Sequence, residues 1–289
     1  MPAEIYLNVA ISGLLTGLVY GLMALGLSVI FGVVRIVNFA HGEMMTIAMY
    51  LAVALFASFK LDPLLMMLPI ATILFVLGYA MQNWLITPFI NRPEHSQFML
   101  LIAVAIIMVN VLLMVFGPDA QNVQTSYSFD SFALGSLIID ATKVYAALAA
   151  ILVASALFAF FKFAPAGKAI RACADNYTGA LVVGLDVRKL YALTFGLGAA
   201  CVGAAGAILV LIIDVTPPLG PAFTLLAFII VIVGGLGSMT GALLGGVLIG
   251  VTEALAGLLF SPSAKSMFAF AILVLVLLFR PEGIVGKRT

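Results

Sequence analysis

Stretches without a single Asp, Glu, Lys or Arg recur from one end of this chain to the other. Ile5 to Val34, Pro63 to Asn91, Ser96 to Pro118, Leu190 to Ile213 and Val215 to Thr252 are such runs, and Val144 to Phe161 is a shorter one. A hydrocarbon core about 30 Å thick takes roughly 20 helical residues to cross, so the runs read as membrane spans. Composition leaves no other solvent than lipid: 64% of the 289 residues are hydrophobic and 9% charged, whereas water-soluble globules carry about 25% charged residues. A β-barrel would need strands of about 10 residues with alternating polarity, and these runs are apolar all round. The fold class is therefore an all-α membrane protein, a polytopic bundle of eight or nine transmembrane helices.

The run from Val215 to Thr252 is about twice the length of one span. It contains Gly234-Gly-Leu-Gly-Ser-Met-Thr-Gly241, so it reads as two spans with a break between them. Spans are expected near Leu7 to Phe31, Gly42 to Phe59, Leu64 to Leu85, Phe98 to Phe116, Lys143 to Phe161, Leu190 to Ile213, Ala222 to Val233, Gly241 to Leu259 and Lys265 to Phe279. The whole chain, residues 1–289, forms one transmembrane domain. Placing the segment 162–189 in the cytoplasm puts Arg35, Arg92, Lys162, Lys168, Arg171, Arg188, Lys189, Arg280, Lys287 and Arg288 on that side. Only Lys60, Lys143 and Lys265 then face out, which satisfies the positive-inside rule. The expected topology has the N-terminus outside and the C-terminus in the cytoplasm. Met1-Pro2-Ala3-Glu4 lacks the basic stretch of a cleavable signal, and the near-neutral chain carries no sign of a nucleic-acid partner.

Small residues recur at four-residue spacing where spans are to pack closely: Gly13, Gly17 and Gly21; Gly241 and Gly245; Gly246 and Gly250; Ala199, Gly203 and Ala207. Cys173 falls in the inner loop and Cys201 in a span, so no disulfide is expected. Two loops exceed turn length. The external loop, residues 118–140, is acidic and includes Phe129 to Gly135, a stretch suited to a short hairpin.

The inner loop, residues 162–189, parses into capped helices. Pro165 suits a first helical position. Asn176 is placed to cap a short helix from Tyr177 to Val183, Gly184 to end it in a left-handed turn, and Asp186 to cap the next span. Such a helix is a rigid lever, and Ala180, Leu181 and Val182 give it a surface apolar enough to enter a groove on another protein.

These residues resemble a known family. Lys168-Ala-Ile-Arg-Ala-Cys-Ala-Asp-Asn176 followed by Ala180-Leu-Val-Val-Gly-Leu-Asp-Val187 is similar to the coupling loop of the LivH-type permeases of branched-chain amino acid ABC importers. Leu25-Gly-Leu-Ser-Val-Ile-Phe-Gly-Val-Val-Arg-Ile-Val-Asn-Phe-Ala-His-Gly-Glu-Met-Met45 resembles that family's most distinctive segment. Gly234-Gly-Leu-Gly-Ser-Met-Thr-Gly-Ala-Leu-Leu-Gly-Gly246 and Leu278-Phe-Arg-Pro-Glu-Gly-Ile284 resemble its C-terminal pieces. The resemblance implies an importer of two related permeases, two ATPases and an external solute-binding protein in the bacterial cytoplasmic membrane. It assigns ATPase coupling to Asp175, Asn176, Tyr177, Thr178, Ala180, Leu181 and Gly184. One departure stands out: Tyr177-Thr178-Gly179 replaces the acidic residue and two small residues that often follow the Asn in the family. The chain carries no Gly-x-x-x-x-Gly-Lys-Ser/Thr loop, so ATP and Mg are expected on the partner ATPases, with no cofactor, metal or catalytic residue here.

Ionisable groups inside spans are costly and default to functional candidates. Asn38, His41 and Glu43 sit together in Asn38-Phe-Ala-His-Gly-Glu43, and Glu253 lies beyond the second break. Ala40-His-Gly-Glu-Met-Met45 aligns weakly with Met239-Thr-Gly-Ala-Leu-Leu244, as corresponding broken helices of a repeat would. Asn38, His41, Glu43, Gly237, Ser238 and Thr240 are thus the pathway residues expected from sequence. Helix ends at such breaks offer N–H groups to a carboxylate and carbonyls to an ammonium. The same polar residues could instead bond with Arg35 and simply fix the break. A second class of function, an autonomous channel or ion-coupled secondary transporter using His41 and Glu43, stays open at this point. The exact solute stays open too: branched-chain or other amino acids, urea, amides or aromatic acids all fit such a permease.

Overall fold

The computed structural model describes residues 3–90, 92–135 and 137–286. Asn91, at the end of one charge-free run, and Lys287 and Arg288, two of the basic residues counted on the inner side, lie outside them. Eleven α-helices are described: α1 Ala3–Val34, α2 His41–Phe59, α3 Pro63–Ala80, α4 Glu94–Phe116, α5 Ala141–Phe163, α6 Pro165–Asp175, α7 Tyr177–Val182, α8 Val187–Leu209, α9 Gly220–Gly234, α10 Met239–Leu259 and α11 Lys265–Phe279. Among the described residues, eight helical segments are long and apolar enough to cross a membrane, and α11 is a shorter apolar helix. The protein is a polytopic all-α membrane protein, and each of the nine expected spans falls on one of these helices.

Helices α1 and α8 form the centre of the bundle, with Leu22, Leu25, Phe195 and Val202 wholly buried. The glycine rows act as the packing argument requires. A Cβ on Gly17 would lie 2.7 Å from the Gly246 carbonyl oxygen, and one on Gly13 2.7 Å from that of Gly250. The row on α10 therefore seats α1 on one face, while Gly245 on its other face meets the Ile230 carbonyl of α9. Gly203 of α8 lies against Leu74 of α3, and Gly206 against Met45 of α2. Without water, backbone contact is what brings such helices together.

Helix α3 passes into a π-helical stretch, Met81–Ile86, and a 3-10 turn, Thr87–Phe89. The hairpin exists, shifted toward α5: β1 Ser131–Leu134 pairs antiparallel with β2 Leu137–Asp140. The loop carrying it is tied down at several points. Gln121 and Val215 exchange two backbone hydrogen bonds of 2.9 and 2.8 Å, Tyr127 donates to Asp62 at 2.8 Å, and Lys143 donates to Ser12 at 2.7 Å. Burial and the Asp62 carboxylate push the Tyr127 phenol above its usual range. Cys173 and Cys201 are both free and buried.

The long run from Val215 to Thr252 holds two helices, as expected, and the first begins close to the expected Ala222. Pro217–Leu219 forms a 3-10 turn and α9 starts only at Gly220, because prolines at 217, 218 and 221 suit a helix start and not its interior.

Candidate functional site

The break between α1 and α2 folds back along α1. His41 Nε2 lies 3.0 Å from the carbonyl oxygen of Met23, eleven residues before the end of α1 at Val34, which is roughly 16 Å along a helix. A carbonyl only accepts, so Nε2 carries the proton, and Nδ1 has no partner among the described residues. Asn38 accepts from the Ala40 N–H at 3.1 Å, an Asx turn that redirects the chain, and its amide donates to the Met44 sulfur at 3.7 Å. Helix α2 thus begins inside the bundle.

There it meets the start of α9. A Cβ on Gly42 would collide with the carbonyl oxygen of Gly220, so only glycine lets the two N-terminal turns touch. Across the contact, the Gly42 N–H donates to Thr224 Oγ1 at 2.8 Å, and that hydroxyl donates to Glu43 Oε2 at 3.1 Å. Thr46 donates to the Gly42 carbonyl at 3.0 Å. Asn38, His41, Glu43 and Thr46 are all buried. Arg35 receives none of these bonds; it takes a left-handed backbone (φ 58°) and lines a different cavity. The polar residues of the break therefore anchor it to α1 and α9.

Two cavities flank this junction. One, about 440 Å³, lies between α4 and the start of α9 and is lined by Glu43, Thr224 and Asn110 on an aliphatic wall that includes Ile106, Val109 and Leu225. The other, about 630 Å³, lies toward the start of α4 and is lined by Arg35, Glu94, His95 and Gln97 among others. Phe39 lines both. Its ring sits edge-on to Phe98 at 4.5 Å and 5.2 Å from Phe228.

The second glycine-rich break lies elsewhere. Gly237 packs against Gly32 near the end of α1, Ser238 caps α10 by accepting from the Gly241 N–H at 3.1 Å, and Thr240 is exposed. Gly237, Ser238 and Thr240 are therefore brought together with one another, at the end of the bundle where α1 finishes, and not with His41 and Glu43. The helix start that faces α2 is that of α9, not that of α10. Thr224, Gly220, Asn110 and Phe39 were missed by sequence reasoning; the proline-glycine cluster before Thr224 was the available signal. Glu253 is partly buried on α10, and no metal-binding cluster occurs among the described residues.

The inner loop folds as a capped lever. Asn176 accepts from the Gly179 N–H at 2.8 Å and starts α7. Gly184 (φ 81°) stops it: its N–H donates to the Leu181 carbonyl and that of Leu185 to the Ala180 carbonyl, both at 3.0 Å, the paired bonds of a Schellman ending. Val183 is the cap and not the last helical residue. Asp186 accepts from the Lys189 N–H at 3.2 Å and pairs with its ammonium at 2.9 Å; these bonds hold its carboxyl below the usual range. Ala180 departs from the expected outer surface. It is buried against Cys173 of α6 and Val187 of α8, because a small residue lets α7 lie close on its neighbours, and burial pushes the Cys173 thiol up. The exposed residues of the lever are Asp175, Asn176, Tyr177, Thr178, Leu181, Val182, Val183 and Gly184, with Val182 82% exposed.

A family model described as the permease component of the branched-chain amino acid transport system matches residues 9–277. The high-affinity branched-chain amino acid transport system permease protein BraD of Pseudomonas aeruginosa is 31% identical over 295 residues, covering 98% of this chain and 96% of that protein. LivH of Escherichia coli K12, of the same description, is 29% identical over 302 residues, with coverage of 98% and 96%. A probable branched-chain amino acid transport permease protein LivH of Methanocaldococcus jannaschii is 27% identical over 285 residues, with coverage of 92% and 88%. No solved structure matches the chain. A match of this extent decides the family: the chain belongs to the permease components of branched-chain amino acid transport systems.

Proposed function

We propose that this chain is the transport subunit of an ATP-driven importer that moves branched-chain amino acids or related small solutes into the cytoplasm of a bacterium. ATP and Mg are held by two separate ATPase subunits, a second homologous permease completes the membrane part, and an external binding protein delivers solute. Residues at the α7 end face the cytoplasm, as do the C-terminus and most basic side chains. The N-terminus lies outside.

The observation that carries this reading is α7: a helix of six residues, capped at both ends, seated by Ala180 and presenting Leu181, Val182 and Val183 to solvent. Bare valines on a rigid support are suited to a groove on a partner. A push on α7 passes to α8 through Val187, and α8 touches α2 at Gly206 and Met45, next to the buried junction. The pathway residues Asn38, His41 and Glu43 lie at that junction, and Gly237, Ser238 and Thr240 would move with the end of α1. An autonomous channel or secondary transporter has no use for such a lever. Reconstitution into liposomes distinguishes the two. Leucine uptake is expected only when the ATPases, the second permease and the binding protein are present with ATP; uptake by the chain alone would favour the rival.

A further inference from the structure

We propose that the 440 Å³ cavity beside the α2–α9 junction is a solute station in which Glu43 holds the ammonium group of an aliphatic solute and Phe39 forms the floor. The inference rests on the transport reading above and adds to it a binding site, a recognition chemistry and a barrier.

Glu43 is 2% exposed, yet it lines the cavity. The lining contains that one carboxylate, the Thr224 hydroxyl and the Asn110 amide, and no basic residue. The cleft is open on one side, where Ile106 and Leu225 are exposed, and on its apolar walls a lone carboxylate favours a positive group and opposes an anion without one. Thr224 donates one hydrogen bond to Oε2, whereas an ionised carboxylate accepts up to about four, so acceptor capacity remains for an ammonium. Pro221, in the first turn of α9, also lines the cavity, and no side chain caps that helix. The remaining wall, with Ile106, Val109 and Leu225, is aliphatic and suits a branched alkyl side chain. Pockets for small ligands have this make-up of apolar walls with a few convergent polar groups, and volumes of about 300–1,000 Å³.

Phe39 separates this station from the larger cavity lined by Arg35, Glu94 and His95. It is held there by Phe98 of α4 and Phe228 of α9, so passage between the cavities requires α4 or α9 to shift and release the ring.

The test uses Val109→Cys in the otherwise unaltered full-length chain in lipid nanodiscs, with the cationic reagent methanethiosulfonate ethylammonium. Cys173 and Cys201 are buried, and the unsubstituted chain serves as control. L-Leucine and isoamylamine, which carry an ammonium, are expected to slow labelling about tenfold at saturation, while 4-methylpentanoate, which carries only the carboxylate, leaves the rate unchanged. Adding Glu43→Gln, which still accepts the Thr224 bond, is expected to weaken protection by isoamylamine about tenfold, the loss of one charge-assisted hydrogen bond. Equal protection by 4-methylpentanoate, or none by either amine, would overturn the station even if the double variant fails to fold. Labelling needs neither ATP nor partners, so a failure here leaves the coupling role of α7 standing, and a failure of coupling leaves the station standing.

Discussion

The α2–α9 junction and the α7 lever both turn on a glycine, and the two glycines do opposite things. Gly42 is needed because another backbone occupies the place of its side chain; Gly184 is needed because the chain must turn left-handed in open space, with nothing within 4 Å of where a Cβ would stand. The junction is built from long-range contacts between residues some 180 positions apart, whereas the lever is built almost wholly from bonds between residues within six of each other. An interior site defined by tertiary contact tolerates little change, and a surface element defined locally loses stability in small steps.

The largest effect that would break this contrast is at Gly42. Gly42→Leu would drive α2 and α9 apart, and about 4 kcal/mol or more of destabilisation is expected, seen as a collapse in the yield of monodisperse protein and in its thermal midpoint. Tolerance of leucine there would remove the junction from the account. Next comes Ala180→Asp, which places a charge between α7, Cys173 and Val187. It is expected to unseat the lever at a cost of about 2–4 kcal/mol while leaving the bundle intact, so that Cys173, 2% exposed in the native chain, becomes reactive to maleimide. The smallest is Asn176→Ala. Loss of that cap costs about 1 kcal/mol, and amide exchange is expected to quicken in α7 alone.

This contrast also explains what the sequence disclosed. Spans were legible because lipid selects uncharged runs, and the lever because Asn176, Gly184 and Asp186 act on neighbours in the chain. The junction was only half legible. Asn38, His41 and Glu43 announced themselves as polar groups in apolar surroundings, but their partner Thr224 is one hydroxyl in an apolar helix, and its proximity to Glu43 exists only in three dimensions. The same limit hid where Gly237, Ser238 and Thr240 lie: a resemblance in sequence between two helix starts said nothing about which start would face α2. Ala180 was misread because a helix of six residues shows too few turns for periodicity to reveal its buried side.

The central claim is that force enters this subunit through the outer face of α7. The most direct measurement compares leucine uptake with ATP hydrolysis in liposomes containing the full complex, before and after Val182→Asp, a change at a side chain 82% exposed. Uptake is predicted to fall by about tenfold or more, since burying an unpaired charge in an interface costs about 1.4 kcal/mol or more, while the subunit's thermal midpoint is unaltered and hydrolysis no longer follows solute delivery. Unchanged uptake with hydrolysis still tied to it would contradict the claim.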